Sequence, residues 1–216
     1  MKNITKENIS KGIDNILDIC IDNFNNNQAG KSIKILENQI SRNPHPKFYF
    51  TLGNIYLAQG NAKKSIESLL KASELAPNIV EIFNNLSNAY LSINDFEKAK
   101  ASAMKSIKIN NCFPEAWVTL ANINLKMEKT TAAIKALNKA LKLNPKMYAA
   151  LINLGNIYFD INKLDQSQDL FKKAIRINSA SVEAYNGLGL ILNKLEKFDE
   201  AIKNFNIAIQ IDSKNI

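Results

Sequence analysis

The chain of 216 residues holds one histidine, one tryptophan, two cysteines and two arginines. Each shortage excludes a class of chemistry. His45, the one histidine, lies between Pro44 and Pro46, and nothing in the sequence resembles a nucleophile–histidine–acid arrangement. No cluster with metal-ligand spacing exists either, and His45 reads as a solvated residue of a turn rather than a base or ligand. Cys20 and Cys112 are too far apart to suggest a metal motif and read as free thiols of a reducing cytoplasm. Cys20 takes a small packing position and Cys112 a turn. No run of about 18 apolar residues is present, so no membrane span is expected. The polar opening from Met1 to Asn8 lacks the apolar stretch of a secretory signal. Glycine (7) and proline (5) are few and regularly placed, which suits repeated helices better than a β-rich domain. No catalytic residue, cofactor or metal is expected.

What the chain does have is hydrophobic content, 46% of its residues, and a net charge of +8. Apart from Arg42 and Arg176 the positive charge is lysine, in a sequence also rich in Asn and Ile. That bias matches AT-rich coding DNA better than a nucleic-acid footprint, which favours clustered Arg and Lys. Neither a nucleic-acid nor a membrane partner is expected. Lys63, Lys64, Lys98, Lys100, Lys135, Lys139, Lys172 and Lys173 fall on second helices of the repeat described next, and read as a solvated face.

Leu52-Gly53-Asn54-Ile55-Tyr56 recurs as Leu86-Ser87-Asn88-Ala89-Tyr90, Leu120-Ala121-Asn122-Ile123-Asn124, Leu154-Gly155-Asn156-Ile157-Tyr158 and Leu188-Gly189-Leu190-Ile191-Leu192. The starts lie 34 residues apart, the mark of a stacked solenoid. Ser65, Ala99, Ala133, Ser167 and Ala201 form a second small series, and Ala72, Ser106, Ala140, Ala174 and Ala208 a third. Large residues accompany them: Tyr49, Phe83, Trp117, Leu151 and Tyr185 before each Leu, and Leu69, Ala103, Leu137, Phe171 and Phe205 between the small ones. Such spacing puts each set on one helix face. Small residues let two antiparallel helices approach, and a large neighbour fills the space beside each. A bulky residue at Gly155 is expected to splay its pair. Gly187-Leu188-Gly189 lacks the strand and third glycine of a dinucleotide loop and belongs to the same packing. Gly60-Asn61, Asn94-Asp95, Asn162-Lys163 and Glu196-Lys197 mark the turns within pairs, and Pro77 and Pro145 end repeats.

This pattern resembles the tetratricopeptide repeat family over residues 46–216. The resemblance implies an all-α, right-handed superhelical solenoid of about six antiparallel helix pairs in a single domain. Five repeats are assigned to residues 46–79, 80–113, 114–147, 148–181 and 182–216. A worn copy at residues 5–45 precedes them, aligned at an offset of 33 through Asn27 to Ile33. Its stripe of Ile9, Ile13, Ile16, Leu17, Cys20 and Phe24 suits a cap. No solvating helix follows the last pair, so Phe205, Ile209 and Ile211 are expected to lack a full cover. That leaves three readings of this end: a fragment, a partner's docking place, or homo-oligomerisation.

In such a stack the first helices line the concave face. Asn54, Asn88, Asn122 and Asn156 recur there, with Asn85 and Asn153 one turn before two of them, until Leu190 breaks the series. Each amide offers a donor and an acceptor, so a ladder of them suits the backbone of an extended peptide. The same recurrence also follows from an Asn-rich composition, or from Asn bonding the adjoining turn. Phe50, Leu57, Leu91, Val118, Leu125, Ile152 and Phe159 either form a groove for side chains or close helix contacts. The carboxylate clamp of some family members is disfavoured, because Phe50, Glu115 and Thr119 stand where Lys and Arg are needed. The expected function is a non-enzymatic cytoplasmic scaffold that binds a protein or peptide partner. Tetratricopeptide arrays also occur fused to glycosyltransferase, sulfotransferase or oxygenase domains, so a recognition module of a larger enzyme is the alternative.

Overall fold

The computed structural model describes residues 6–213. Among the described residues the secondary structure is helical throughout. The helices run α1 (Lys6–Asn25), α2 (Ala29–Arg42), α3 (Pro46–Ala58), α4 (Ala62–Leu75), α5 (Val80–Ser92) and α6 (Phe96–Ile109). They continue as α7 (Pro114–Lys126), α8 (Thr130–Leu143), α9 (Tyr148–Asp160), α10 (Leu164–Ile177), α11 (Val182–Lys194) and α12 (Phe198–Asp212). The chain divides into two compact units, Met1–Asn110 and Asn111–Ile216. In each, every odd helix packs against the even helix that follows it, and even helices pack on the next odd one. These tandem helix pairs are the tetratricopeptide solenoid fold. The repeat boundaries given above remain a proposal. The side chain of Ile9, the polar residues 1–5 and residues 214–216, the end of the last repeat, lie outside the described residues.

One device ends each odd helix. In the α3–α4 turn the Asn61 N–H donates to the Tyr56 carbonyl at 2.8 Å and the Gly60 N–H to the Leu57 carbonyl at 3.0 Å. These two bonds form a Schellman motif, which requires a left-handed residue after the helix. Asn27, Gly60, Asn94, Glu128, Asn162 and Glu196 take that place, with φ between 58° and 74°. Gly and Asn tolerate the left-handed region; Glu pays steric strain of about 1–2 kcal/mol there. Replacing Glu128 or Glu196 by Gly is therefore expected to raise the urea midpoint, worth about 1 kcal/mol per site. An unchanged or lowered midpoint would contradict the strain.

Within each pair the small residues bring the two backbones together. The Ser32 hydroxyl donates to the Cys20 carbonyl at 2.6 Å, Ser87 to the Ala99 carbonyl at 2.7 Å and Ser167 to the Gly155 carbonyl at 2.7 Å. A helix carbonyl is thus bonded by a hydroxyl of its partner helix, which fixes their register. Among the described residues the fully buried Ser65 hydroxyl has no such partner. Cys20 is itself buried, its thiol pushed up by burial, which makes it a packing group rather than a reactive thiol.

The cores follow the repeat. In the first unit Ile13, Cys20, Leu36, Phe48, Leu52, Ile55 and Tyr56 form one cluster, backed by Ile16, Leu17 and Phe24, the expected capping stripe. Leu69, Phe83, Leu86 and Ala89 form the next. In the second unit a single cluster runs from Val118 to Ile191. At the far end of that unit the stripe on α12 is open: Phe198, Ile202 and Ile209 are 57%, 56% and 64% exposed, while Phe205 and Ile211 are half-buried.

His45 is half-buried and caps α3, its Nδ1 accepting from the Lys47 N–H at 3.3 Å. Burial, then the Lys47 cation, lower its pKa below the ordinary 6.5, against a smaller opposing pull from Asp14. The native state therefore holds fewer protons on this ring than the unfolded chain. Its contribution to stability is full above the ordinary value and is lost as pH falls through the lowered one. Comparing the pH dependence of unfolding for wild type and His45→Asn, which keeps a capping acceptor, checks this; the wild-type decline in mildly acid solution should be shallower in the variant.

Candidate functional site

The odd helices of each unit lie side by side: α1 with α3, α3 with α5, and α9 with α11 are in contact. Residues 31 apart, one repeat less one helical turn, then meet diagonally across neighbouring odd helices. That is where the asparagines pair. In the first unit the Asn85 Nδ2 on α5 donates to the Asn54 Oδ1 on α3 at 2.8 Å. In the second unit the Asn153 Nδ2 on α9 donates to the Asn122 Oδ1 on α7 at 2.7 Å. Asn84 Nδ2 lies 3.4 Å from Asn85 Oδ1. All four paired amides are half-buried.

By inventory each dyad still has hydrogen-bonding capacity to offer. The Nδ2 groups of Asn54 and Asn122 keep their protons, and Oδ1 of Asn85 and of Asn153 keeps lone-pair capacity. A dyad therefore presents a donor on one helix and an acceptor on the next, each held by the bond that joins them. Asn88 is half-buried and Asn156 exposed, and neither side chain is hydrogen-bonded among the described residues. Gly187 lies 31 residues after Asn156 and has no amide to pair with it. At Leu190 the series ends in an apolar side chain, 47% exposed.

The apolar candidates divide. Val118 and Ile152 are 7% and 8% exposed and belong to the core of the second unit, so they close helix contacts and offer little surface. Leu125 and Phe159 are partly buried against that core, and Phe159 is further covered by Lys194 Nζ at 5.3 Å from its ring centre. Leu57 packs on the cluster of the first unit, and Leu91 is half-buried. Phe50 also packs there and lines a cavity of about 550 Å3 between α1, α3 and the start of α5.

The lysines have local work. Lys64 lies over Tyr56, Lys98 over Tyr90, Lys105 over Phe83, Lys139 over Trp117 and Lys163 over Tyr158, with Nζ 4.0–5.9 Å from the ring centres. Their stems cover aromatic faces while the ammonium groups stay in water. Lys47, Lys71 and Lys98 pair with Asp14, Glu74 and Asp95. Among the described residues no group of three or more His, Cys, Asp or Glu side chains is placed to hold a metal, and no helix is long and apolar enough to cross a membrane. Sequence reasoning missed the Asn–Asn pairing, the cavity and the cap made by His45. The 31-residue offset between Asn54 and Asn85, repeated between Asn122 and Asn153, was the signal for the first.

A family model described as the Cilia and flagella-associated protein 70 C-terminal domain matches residues 23–214. No curated protein matches the chain. Among solved structures, MamA is 27% identical with a TM-score of 0.65, over 76% of this chain and 96% of that one. A structure titled as the functional characterization of Pseudomonas aeruginosa PilF is 12% identical with a TM-score of 0.79, over 90% and 89%. YrrB, titled a TPR protein with an unusual peptide-binding site, is 19% identical with a TM-score of 0.59, over 82% and 91%.

Proposed function

The chain belongs to the tetratricopeptide-repeat family of the Cilia and flagella-associated protein 70 C-terminal domain, and from that premise we propose that it is a cytoplasmic scaffold that binds an extended peptide segment along its odd helices. The observation that carries this reading is the pair of dyads, Asn85 with Asn54 and Asn153 with Asn122. In an extended chain the N–H and the C=O of one residue point to the same side of the backbone. A dyad supplies the complementary acceptor and donor from two adjacent helices. Asn88 and Asn156 add amides that no neighbour occupies. Recognition of this kind reads the backbone and tolerates varied side chains. That the fold carries a peptide-binding site in YrrB supports the reading.

The test is an array of overlapping 15-residue peptides drawn from proteins that co-purify with the chain. The best binder is then remade with N-methyl groups at alternate residues, which remove backbone donors. Loss of binding on methylation, with tolerance of single side-chain changes, is the expected outcome. Binding that survives methylation would remove the backbone role of the amides.

The open stripe on α12 favours a second reading, self-association of the chain through Phe198, Ile202 and Ile209. Light scattering should then show a dimer that the double variant Ile202→Lys with Ile209→Lys converts to monomer. A monomeric wild-type chain would remove that reading.

A further inference from the structure

The first copy of the repeat, like the last at Leu190, lacks the amide that the four middle copies carry on the odd-helix face. Ile21 of α1 stands at the position that Asn54 holds 33 residues later, so an apolar side chain replaces the amide. Ile21 is 47% exposed, and Ile79, in the link between α4 and α5, is 46% exposed. Both side chains line the cavity of about 550 Å3, together with Leu17, Phe50 and Ile82. Its size falls within the roughly 300–1,000 Å3 of ligand pockets, and its walls are almost wholly hydrocarbon. Large apolar side chains left this accessible around a concavity are what an inserted apolar group would cover.

The lining of the cavity includes charged residues, and the unpaired one has the sign opposite to that of the whole chain. Lys47 is engaged by Asp14 at 2.7 Å. Glu81 is exposed and has no ion-pair partner among the described residues. His45, also a lining residue, has its pKa lowered by burial, which favours the neutral ring. On a protein of net charge +8 the uncompensated charge beside the cavity is therefore a carboxylate. Phe50 and Thr51, both lining residues, lie one turn before Asn54 on α3, so the cavity opens beside the Asn54–Asn85 dyad.

We propose that this cavity is an anchor pocket for a bulky apolar side chain of the bound segment, with a neighbouring lysine or arginine of that segment placed on Glu81. The inference rests on the peptide-binding reading above and adds to it a side-chain preference: the dyads hold the backbone, and the pocket sets the register. A carboxylate next to the anchor is repelled by Glu81, and a small anchor leaves the hydrocarbon walls wet.

The test uses the full chain and a fluorescein-labelled peptide, Ser-Gly-Ser-Phe-Lys-Ser-Gly-Ser, read by anisotropy. Two control peptides replace its phenylalanine by alanine or its lysine by glutamate. Each control should bind about tenfold more weakly or worse. Ile79→Ser should erase the preference for phenylalanine, and Glu81→Lys should reverse the preference between lysine and glutamate. Both residues are exposed, and circular dichroism confirms that the variants remain helical. Asn54→Ala with Asn85→Ala should weaken all three peptides alike. If the three peptides bind wild type equally, the pocket inference fails while backbone binding stands. Preferences that persist unchanged in Ile79→Ser and Glu81→Lys also overturn it. If none of the three binds at all, both readings fall. If wild type is a dimer that Ile79→Ser dissolves, a second copy fills the pocket and the proposal is overturned.

Discussion

Alanine in place of Phe171 should remove about 3–5 kcal/mol of stability, the range for deleting a fully buried aromatic side chain. That is a large share of the roughly 5–15 kcal/mol that holds a typical domain folded. Phe171 of α10 is 1% exposed. A methyl group built on Gly155 of α9 would lie 2.9 Å from Cε1 of its ring, and one on Gly187 of α11 would lie 2.5 Å from Cε2. The ring therefore occupies a slot that exists because two residues, on the helices before and after α10, have no side chain. Removing the ring leaves a void that neither glycine can fill. The converse change, Gly187→Ala, forces a contact no real structure tolerates against a ring with nowhere to move, and should cost about 1–3 kcal/mol or more. Because the two changes act on one contact, Gly187→Ala combined with Phe171→Leu should destabilise by less than the sum of the single effects. Urea unfolding followed by circular dichroism reads all of these. Simple additivity would show that the ring and the glycines do not constrain one another.

The second large effect concerns binding. A variant carrying Asn54→Ala, Asn85→Ala, Asn122→Ala and Asn153→Ala should lose about a hundredfold or more in affinity for the best peptide of the array. Each amide is expected to contribute about 0.5–1.5 kcal/mol, and every 1.4 kcal/mol is tenfold. The fold should be nearly indifferent, since these side chains are half-buried and each change removes both members of a pair. Unfolding midpoints within about 1 kcal/mol of wild type, together with the affinity loss, separate a binding role from a structural one. Full stability with full affinity would mean that the dyads serve neither the binding nor the fold. A large drop in stability would mean that they tie neighbouring helices together.

The fold was legible because its determinants repeat. Each copy restates the same steric demand, so Gly53, Ser87, Ala121, Gly155 and Gly189 announce a close helix approach, and Leu69 and Phe171 announce what fills it. The left-handed turn positions at Gly60, Asn94 and Asn162 were readable for the same reason. The turn at Glu196 was readable only from register, and the one at Glu128 was not singled out, since Glu has no preference for that backbone. The functional face was less legible because its contacts are diagonal. Asn54 meets Asn85 through an offset of 31 residues, so alignment by the 34-residue period sets them in different columns. Val118 and Ile152 occupy the column of Phe50, yet they are buried while Phe50 lines a cavity. The difference comes from their neighbours rather than from their place in the repeat. Ile21 was counted in no series, because in the worn first copy it departs from the Asn that the next four copies carry.

The most direct test of the binding face is a two-dimensional 1H–15N spectrum of the chain during titration with the best array peptide, with the Asn side-chain NH2 pairs assigned by single substitution. The account predicts that the Nδ2 resonances of Asn54 and Asn85 shift together, as do those of Asn122 and Asn153, while amides on α4, α6, α8 and α10 stay in place. Shifts confined to those even helices, with the four Asn side chains unmoved, would contradict it.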